Sequence, residues 1–81
     1  VQGSNSSVPR SSNGITDQFT TESVYRIESV TQGSTTYIEG TDFVRVSTNS
    51  IRWGQDANGN TLTGANIPTA GTTYRVVYDY T

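Results

Sequence analysis

The closing strand-like stretch of the chain, residues 72–80, has the sequence TTYRVVYDY. One face of an extended segment here carries Tyr74, Val76, Tyr78 and Tyr80. The opposite face carries Arg75, Val77 and Asp79. Because successive side chains of a β-strand point to opposite faces of its sheet, this alternation predicts a strand whose aromatic face lies against the core.

Four more segments rich in Thr, Val, Ile and Tyr precede this stretch, and short turn sequences separate them. They are VYRIESVT (24–31), TTYIE (35–39), DFVRVS (42–47) and SIRWG (50–54). The turn pairs are Gln32-Gly33, Gly40-Thr41 and Thr48-Asn49, and a long polar loop spans residues 55–71. No window shows a convincing helical spacing of apolar residues. We therefore predict an all-β fold, a small antiparallel β-sandwich that is immunoglobulin-like or barrel-like, with about five strands.

The segment 24–31 carries apolar residues on both of its faces. Tyr25 and Ile27 share one face, whereas Val24 and Val30 share the other. A simple half-buried strand would keep its apolar residues on one side, so this pattern predicts a β-bulge or burial on both sides.

Residues 1–23 have a different composition from the rest of the chain. They contain only four apolar residues, Val1, Val8, Ile15 and Phe19. The opening is rich in Ser, Asn and Gly, a composition that buries too little apolar surface to offset the entropy of ordering. We predict an extended polar N-terminal tail or linker over residues 1–23 and a β-sandwich domain over residues 24–81. Because the chain begins at Val1 without Met, we expect a processed product or one part of a longer polypeptide.

The charge of the chain and the length of its apolar runs argue against two classes of partner. Five arginines and seven acidic residues give a net charge of −2, whereas binding to phosphate backbones needs a basic face. We expect no nucleic-acid partner. No apolar run approaches the ~18 residues that indicate a membrane-spanning helix, so we expect no membrane insertion. The arginines of the predicted strands are expected to form scattered ion pairs on a solvated face.

The chain lacks the side chains that usually activate a nucleophile, because it contains no His and no Lys. A carboxylate pair acting on glycosides needs one acid in a deep apolar pocket, and the few apolar residues must first build the core. We therefore expect no enzymatic activity and no cofactor.

The string Asp56-Ala57-Asn58-Gly59-Asn60 has oxygen ligands at alternate positions, as some calcium-binding loops do. The sixth and twelfth positions counted from Asp56 are Thr61 and Ile67, which do not match the Gly and Glu of an EF-hand. The pair Asn58-Gly59 instead predicts a tight turn.

The aromatic residues are candidates both for the core and for a contact surface. We assign a candidate interface or ligand surface to Phe19, Arg45, Trp53 and Tyr80. An open sheet has unpaired edges, and lysine, the charge that commonly protects such edges, is absent. A domain this small is also marginally stable without disulfides or metal. We therefore expect partner chains, including other copies of this chain, to cover an edge or a face.

The order of the segments resembles the small β-domains of tailed-bacteriophage virion proteins, such as baseplate, tail and decoration proteins. The matching pieces are Ser29-Val30, Thr35-Thr36-Tyr37, Gly40-Thr41-Asp42-Phe43, Ile51-Arg52-Trp53, Pro68 and Gly71-Thr72-Thr73-Tyr74 onward. The resemblance covers about residues 24–80. It implies a structural module located in a virion, which forms a homo-oligomer and contacts other virion proteins without chemistry of its own.

Two alternatives place the chain outside a virion, in an extracellular or cell-surface setting. One is a carbohydrate-binding β-domain that uses Trp53 and the tyrosines. The other is a fibre or adhesin subunit whose N-terminal segment adds a strand to a neighbouring copy.

Overall fold

Seven β-strands form the fold of residues 1–11 and 14–81, the part of the chain that the computed structural model describes. They are β1 (Ser4–Pro9), β2 (Thr16–Gln18), β3 (Val24–Gln32), β4 (Thr35–Tyr37), β5 (Phe43–Ser47), β6 (Ser50–Trp53) and β7 (Thr73–Tyr80). The five predicted segments coincide with β3 to β7 and differ only by a residue or two at their ends. No helix long and apolar enough to cross a membrane occurs within the described residues.

The strands form two antiparallel sheets. One has the order β1-β7-β3-β4 and the other the order β2-β6-β5. Strand β7 lies in the interior of the larger sheet, where it pairs with β1 on one side and β3 on the other. The prediction of an all-β fold in the form of a small antiparallel β-sandwich is confirmed.

Residues 1–11 and 14–23 are part of this fold, and the prediction of a polar tail outside it is wrong. Strand β1 pairs with β7 over six residues, and β2 pairs with β6 over three. Val8 and Phe19 are buried in the common core. Both strands lie at sheet edges. β1 turns one apolar side chain inward, that of Val8, whereas β2 turns Asp17 inward and is followed by the buried Phe19. The polar composition of these strands therefore does not indicate them. Residues 12 and 13 of the predicted tail lie outside the described residues.

The core lies between the sheets and is dominated by aromatic rings. Tyr74, Val76 and Tyr78 of β7 are buried, as the alternation of the sequence predicts, and Tyr80 packs against them while remaining partly exposed. The indole ring of Trp53 contacts the rings of its three neighbours Tyr37, Phe43 and Tyr74, with centroids 4.8, 5.3 and 5.1 Å away. Such tilted and edge-to-face contacts stabilise aromatic cores beyond simple area burial.

Strand β3 contains two irregularities in its pairing with β7. The register shifts once between Val24 and Arg26 and again between Ile27 and Ser29. Each shift inserts one unpaired residue into β3, Tyr25 and Glu28 respectively. The predicted bulge is confirmed, and it explains why apolar residues of this segment fall on both sides.

The predicted turns are also present. Gly40 and Gly71 have φ angles of +88° and +85°, a left-handed conformation that glycine adopts without a steric penalty.

Candidate functional site

The four residues predicted to form an interface or ligand surface do not meet on one exposed surface. Trp53 and Phe19 belong to the core, with 0% and 3% of their surface exposed. Arg45 and Tyr80 lie together at one end of the sandwich, where both adjoin Val24. The Arg45 guanidinium donates to the Val24 carbonyl over 3.0 Å, and Tyr80 pairs with Val24 across the sheet. Arg45 therefore links the two sheets.

A buried polar chain connects the N-terminal segment to the core. The Tyr74 hydroxyl donates to Asp17 Oδ2 over 2.8 Å, and Trp53 Nε1 donates to the Tyr74 hydroxyl over 3.4 Å. Asp17 Oδ1 accepts the backbone N–H of Ser11. Burial raises the pKa of Tyr74, and the hydrogen bond to Asp17 raises it further. The phenol therefore remains a protonated donor, and the arrangement is structural.

Arg10 lies beside this chain and is also buried. Its guanidinium Nη1 donates to the carbonyls of Ser11 and Gly14. Both acceptors lie close to Arg10 in the chain, and the backbone of Arg10 bonds to Gly71 and Thr72 just before β7, so the cation serves the fold.

Asp42 is a buried carboxylate that joins three segments of the chain. Its Oδ2 accepts the N–H of Ile38 over 2.8 Å, and its Oδ1 accepts the N–H of Asn66 over 2.9 Å. Its backbone carbonyl accepts the N–H of Gly54 over 2.9 Å. We call this arrangement of residues 38–42, Gly54 and residues 66–67 the Asp42 clasp.

The Asp42 clasp presents two isoleucines to solvent. Ile38 is 59% exposed and Ile67 is 43% exposed. Their backbones are anchored by the same carboxylate, because Ile38 itself and Asn66, the residue before Ile67, donate to Asp42. Exposed apolar residues on an ordered backbone can serve as a protein contact site.

Asp79 accepts hydrogen bonds on the opposite side of β7 from the core. Gly3 N–H donates to its Oδ1 over 2.9 Å, and Arg26 Nε donates to its Oδ2 over 2.8 Å. A hydrogen bond with Glu28, followed by those from Gly3 and Arg26, lowers the pKa of Asp79 to about 2 although burial opposes this. The same hydrogen bond raises the pKa of Glu28. The Glu28 carboxyl therefore keeps its proton to a higher pH than the Asp79 carboxyl does.

The predicted ion pairs are therefore only partly right. Arg26 makes them, to Asp79 and more distantly to Glu28, but Asp79 is buried instead of solvated. Arg45 and Arg52 donate to backbone carbonyls, those of Val24 and Asp56.

Asp56 forms the turn that its sequence predicts. Its Oδ1 accepts the N–H groups of Asn58 and Asn60, each over 2.9 Å, and Gly59 has a φ of +84°. The hydrogen bond from Asn60, with that from Asn58, lowers the pKa of Asp56. Within the described part of the chain, no three acidic side chains gather into a possible metal site.

A groove of about 340 Å³ lies at one end of the four-stranded sheet. Its lining residues are Ser7, Thr31, Gln32, Gly33, Thr73, Tyr74 and Arg75. Three of these, Ser7, Arg75 and Thr31, stand side by side on β1, β7 and β3.

A protein family described as a domain of unknown function, DUF4815, matches residues 3–81. The chain belongs to this family. The DUF4815 match includes β1 and β2, so the family region has the same extent as the sandwich seen here and is longer than the predicted 24–81 domain. No curated protein and no solved structure gives a significant match to the chain.

Sequence reasoning did not identify the Asp42 clasp of this DUF4815 domain, or its groove, as contact surfaces. The turn Gly40-Thr41-Asp42-Phe43 did predict that Asp42 bonds to the backbone, and its bond to Ile38 confirms this. The second bond, to Asn66, joins the turn to the long polar loop, and no local pattern indicates it. The groove combines three strands that are distant in sequence.

Proposed function

We propose that this chain is a non-enzymatic structural module that works through protein–protein contacts. The observation that carries the proposal is the Asp42 clasp, which anchors the backbone at Ile38 and at Asn66, the residue before Ile67, while both isoleucines are exposed. An apolar contact whose backbone is already ordered loses little conformational entropy when a partner binds. Such a surface suits an assembly contact that forms repeatedly between copies or with a neighbouring protein.

The use of the acidic side chains supports a non-enzymatic role. Asp17, Asp42 and Asp79 are buried, and each accepts backbone N–H groups or bonds to another side chain. Asp56 forms a turn. A general acid or base must exchange its proton with a substrate, whereas these four carboxylates are occupied by the fold.

The more specific part of the proposal is that the module belongs to the virion of a tailed bacteriophage, in the tail, baseplate or capsid decoration. It rests on the sequence resemblance over residues 24–80. There the chain acts as a homo-oligomer and contacts other virion proteins. The carbohydrate-binding alternative that relies on Trp53 loses support, because the Trp53 ring is fully buried.

Native mass spectrometry and light scattering of the full chain, alone and mixed with virion particles from the same source, test the proposal. We expect the chain to form oligomers or to bind the particles, and we expect Ile38→Asp to abolish self-association and particle binding. Tyr25→Ser is the matched control, because Tyr25 is an exposed apolar residue outside the clasp. A monomer that also fails to bind particles contradicts the proposal, as does equal loss of assembly in both variants.

A further inference from the structure

The groove at the end of the four-stranded sheet contains one cation, the guanidinium of Arg75, that has no partner among the described residues. Arg10, Arg26, Arg45 and Arg52 all donate hydrogen bonds to protein oxygens. The backbone of Arg75 is paired within the sheet, but its guanidinium has neither a hydrogen bond nor an ion pair with any residue in ranges 1–11 and 14–81. Its planar guanidinium has five N–H donors and can pair with a carboxylate or a phosphate through two parallel hydrogen bonds.

The surroundings of Arg75 are polar and free of acidic groups. Ser7, Thr31 and Thr73 contribute hydroxyl groups, and no carboxylate lines the groove. The amide of Gln32 is fixed by its neighbours, because Nε2 donates to Thr72 Oγ1 over 2.9 Å and Oε1 accepts from the Tyr37 hydroxyl over 3.2 Å. A guanidinium surrounded by hydroxyl groups is complementary to a ligand that carries one carboxylate and several hydroxyls.

The backbone around the groove argues against an extended peptide as the ligand. Strand β7 is paired on both sides, and β3 at Thr31 is paired with β7 and with β4. A peptide strand binds mainly through main-chain hydrogen bonds at a free sheet edge, and the centre of this groove offers none. A compact ligand that brings its own hydroxyl groups fits better. The volume of about 340 Å³ lies at the lower end of the range of small-molecule sites.

We propose that this groove binds an acidic sugar, a uronic or sialic acid residue, with its carboxylate on Arg75 and its hydroxyls on Ser7, Thr31 and Thr73. A single guanidinium and a net protein charge of −2 favour one monovalent carboxylate over a polyanion. None of the groove residues belongs to the Asp42 clasp, so this site is independent of the proposed assembly contacts.

Titration of the isotope-labelled full chain, followed by amide chemical shifts in NMR spectra, tests the proposal. Glucuronate and N-acetylneuraminate at millimolar concentrations are expected to shift the amides of residues 7, 31, 32, 73 and 75 in a saturable manner. Glucose, acetate and inorganic phosphate are expected to bind at least about tenfold more weakly, because each lacks the carboxylate or the hydroxyls.

Variants test whether the Arg75 guanidinium is responsible for binding of the acidic sugar. Arg75→Gln should weaken binding of glucuronate at least about tenfold, and Arg75→Lys should fall between this variant and the natural chain because an ammonium lacks the fork geometry. Arg52→Gln removes the same charge elsewhere and should leave binding unchanged. The proposal is overturned by absence of saturable shifts, by equal binding of acetate or phosphate, which indicates a simple anion site, or by unchanged binding in Arg75→Gln. Assembly in the light-scattering experiment should be unaffected by Arg75→Gln.

Discussion

Replacing Tyr74 with Phe tests whether the N-terminal segment is an integral part of the fold. The substitution removes only the hydroxyl that joins Asp17 of β2 to the core. A hydrogen bond to a charged acceptor contributes about 1.5–3 kcal/mol to stability, and this one is 2.8 Å long and buried. The loss of the longer bond from Trp53 Nε1 adds about 0.5 kcal/mol. We therefore expect the free energy of unfolding to fall by about 2–3.5 kcal/mol.

That loss is large for a domain of this size, because about 0.05–0.15 kcal/mol per residue gives a total stability of roughly 4–12 kcal/mol. Urea denaturation followed by tryptophan fluorescence measures the change, and the midpoint should fall while the m-value stays constant. Tyr78→Phe is the matched control. Its hydroxyl donates over 3.0 Å to the neutral Thr20 Oγ1 in a partly buried position, so its removal should cost only about 0.5–1.5 kcal/mol. A loss for Tyr74→Phe equal to or smaller than that of Tyr78→Phe would refute the reasoning.

Three further substitutions test other parts of the structure. Asp42→Ala leaves two backbone N–H groups without their acceptor and should lower the unfolding free energy by about 3 kcal/mol or more. A loss below about 1 kcal/mol in urea denaturation would contradict a stabilising role of the Asp42 clasp. Gly54→Ala places a side chain at a φ of +74° and should lower the unfolding free energy by about 1–2 kcal/mol, which thermal denaturation measures. The new Cβ should also displace the Ile67 side chain, whose Cδ1 lies 2.8 Å from that position. Glu28→Gln should stabilise the protein at pH 7 and have little effect near pH 3.5. A difference in unfolding free energy between this variant and the natural chain that does not change with pH would contradict the raised pKa of Glu28.

The expected pH dependence of Glu28→Gln follows from the directions of the two pKa shifts. The folded pKa of Glu28 is raised by its hydrogen bond with Asp79 and by burial, so its contribution is present below the unfolded value of about 4.3. It is lost as the pH rises through the raised folded value. Glutamine retains a donor at every pH. The pKa of Asp79 is lowered to about 2, so its contribution is present above its unfolded value of about 3.9 and is lost as the pH falls toward 2.

The sequence predicts the strands whose own apolar and polar residues alternate clearly, and it does not indicate the others. Tyr74 and Tyr78 identify β7 and its core face without reference to any other segment. Strands β1 and β2 have the sequences SNSSVP and TDQ, and they become strands only because β7 and β6 offer edges with which they pair. Val8 and Phe19 are the local indications of their burial, and each is too isolated to establish a period.

The candidate sites are less predictable because they depend on contacts between distant segments. The environment of Arg75 requires β1 and β7, which the chain separates by more than sixty residues. From the sequence alone, Trp53 and Phe19 are candidates for a surface as well as for the core, because aromatic residues serve both. Their burial depends on how the two sheets pack together, which no single segment specifies.

Electron cryomicroscopy of the native assembly is the most direct test of the proposed function. The account predicts that the chain occurs in repeated copies within a phage particle, with Ile38 and Ile67 buried against a neighbouring subunit. A map in which these isoleucines face solvent in every copy, or particles that lack the chain altogether, would contradict it.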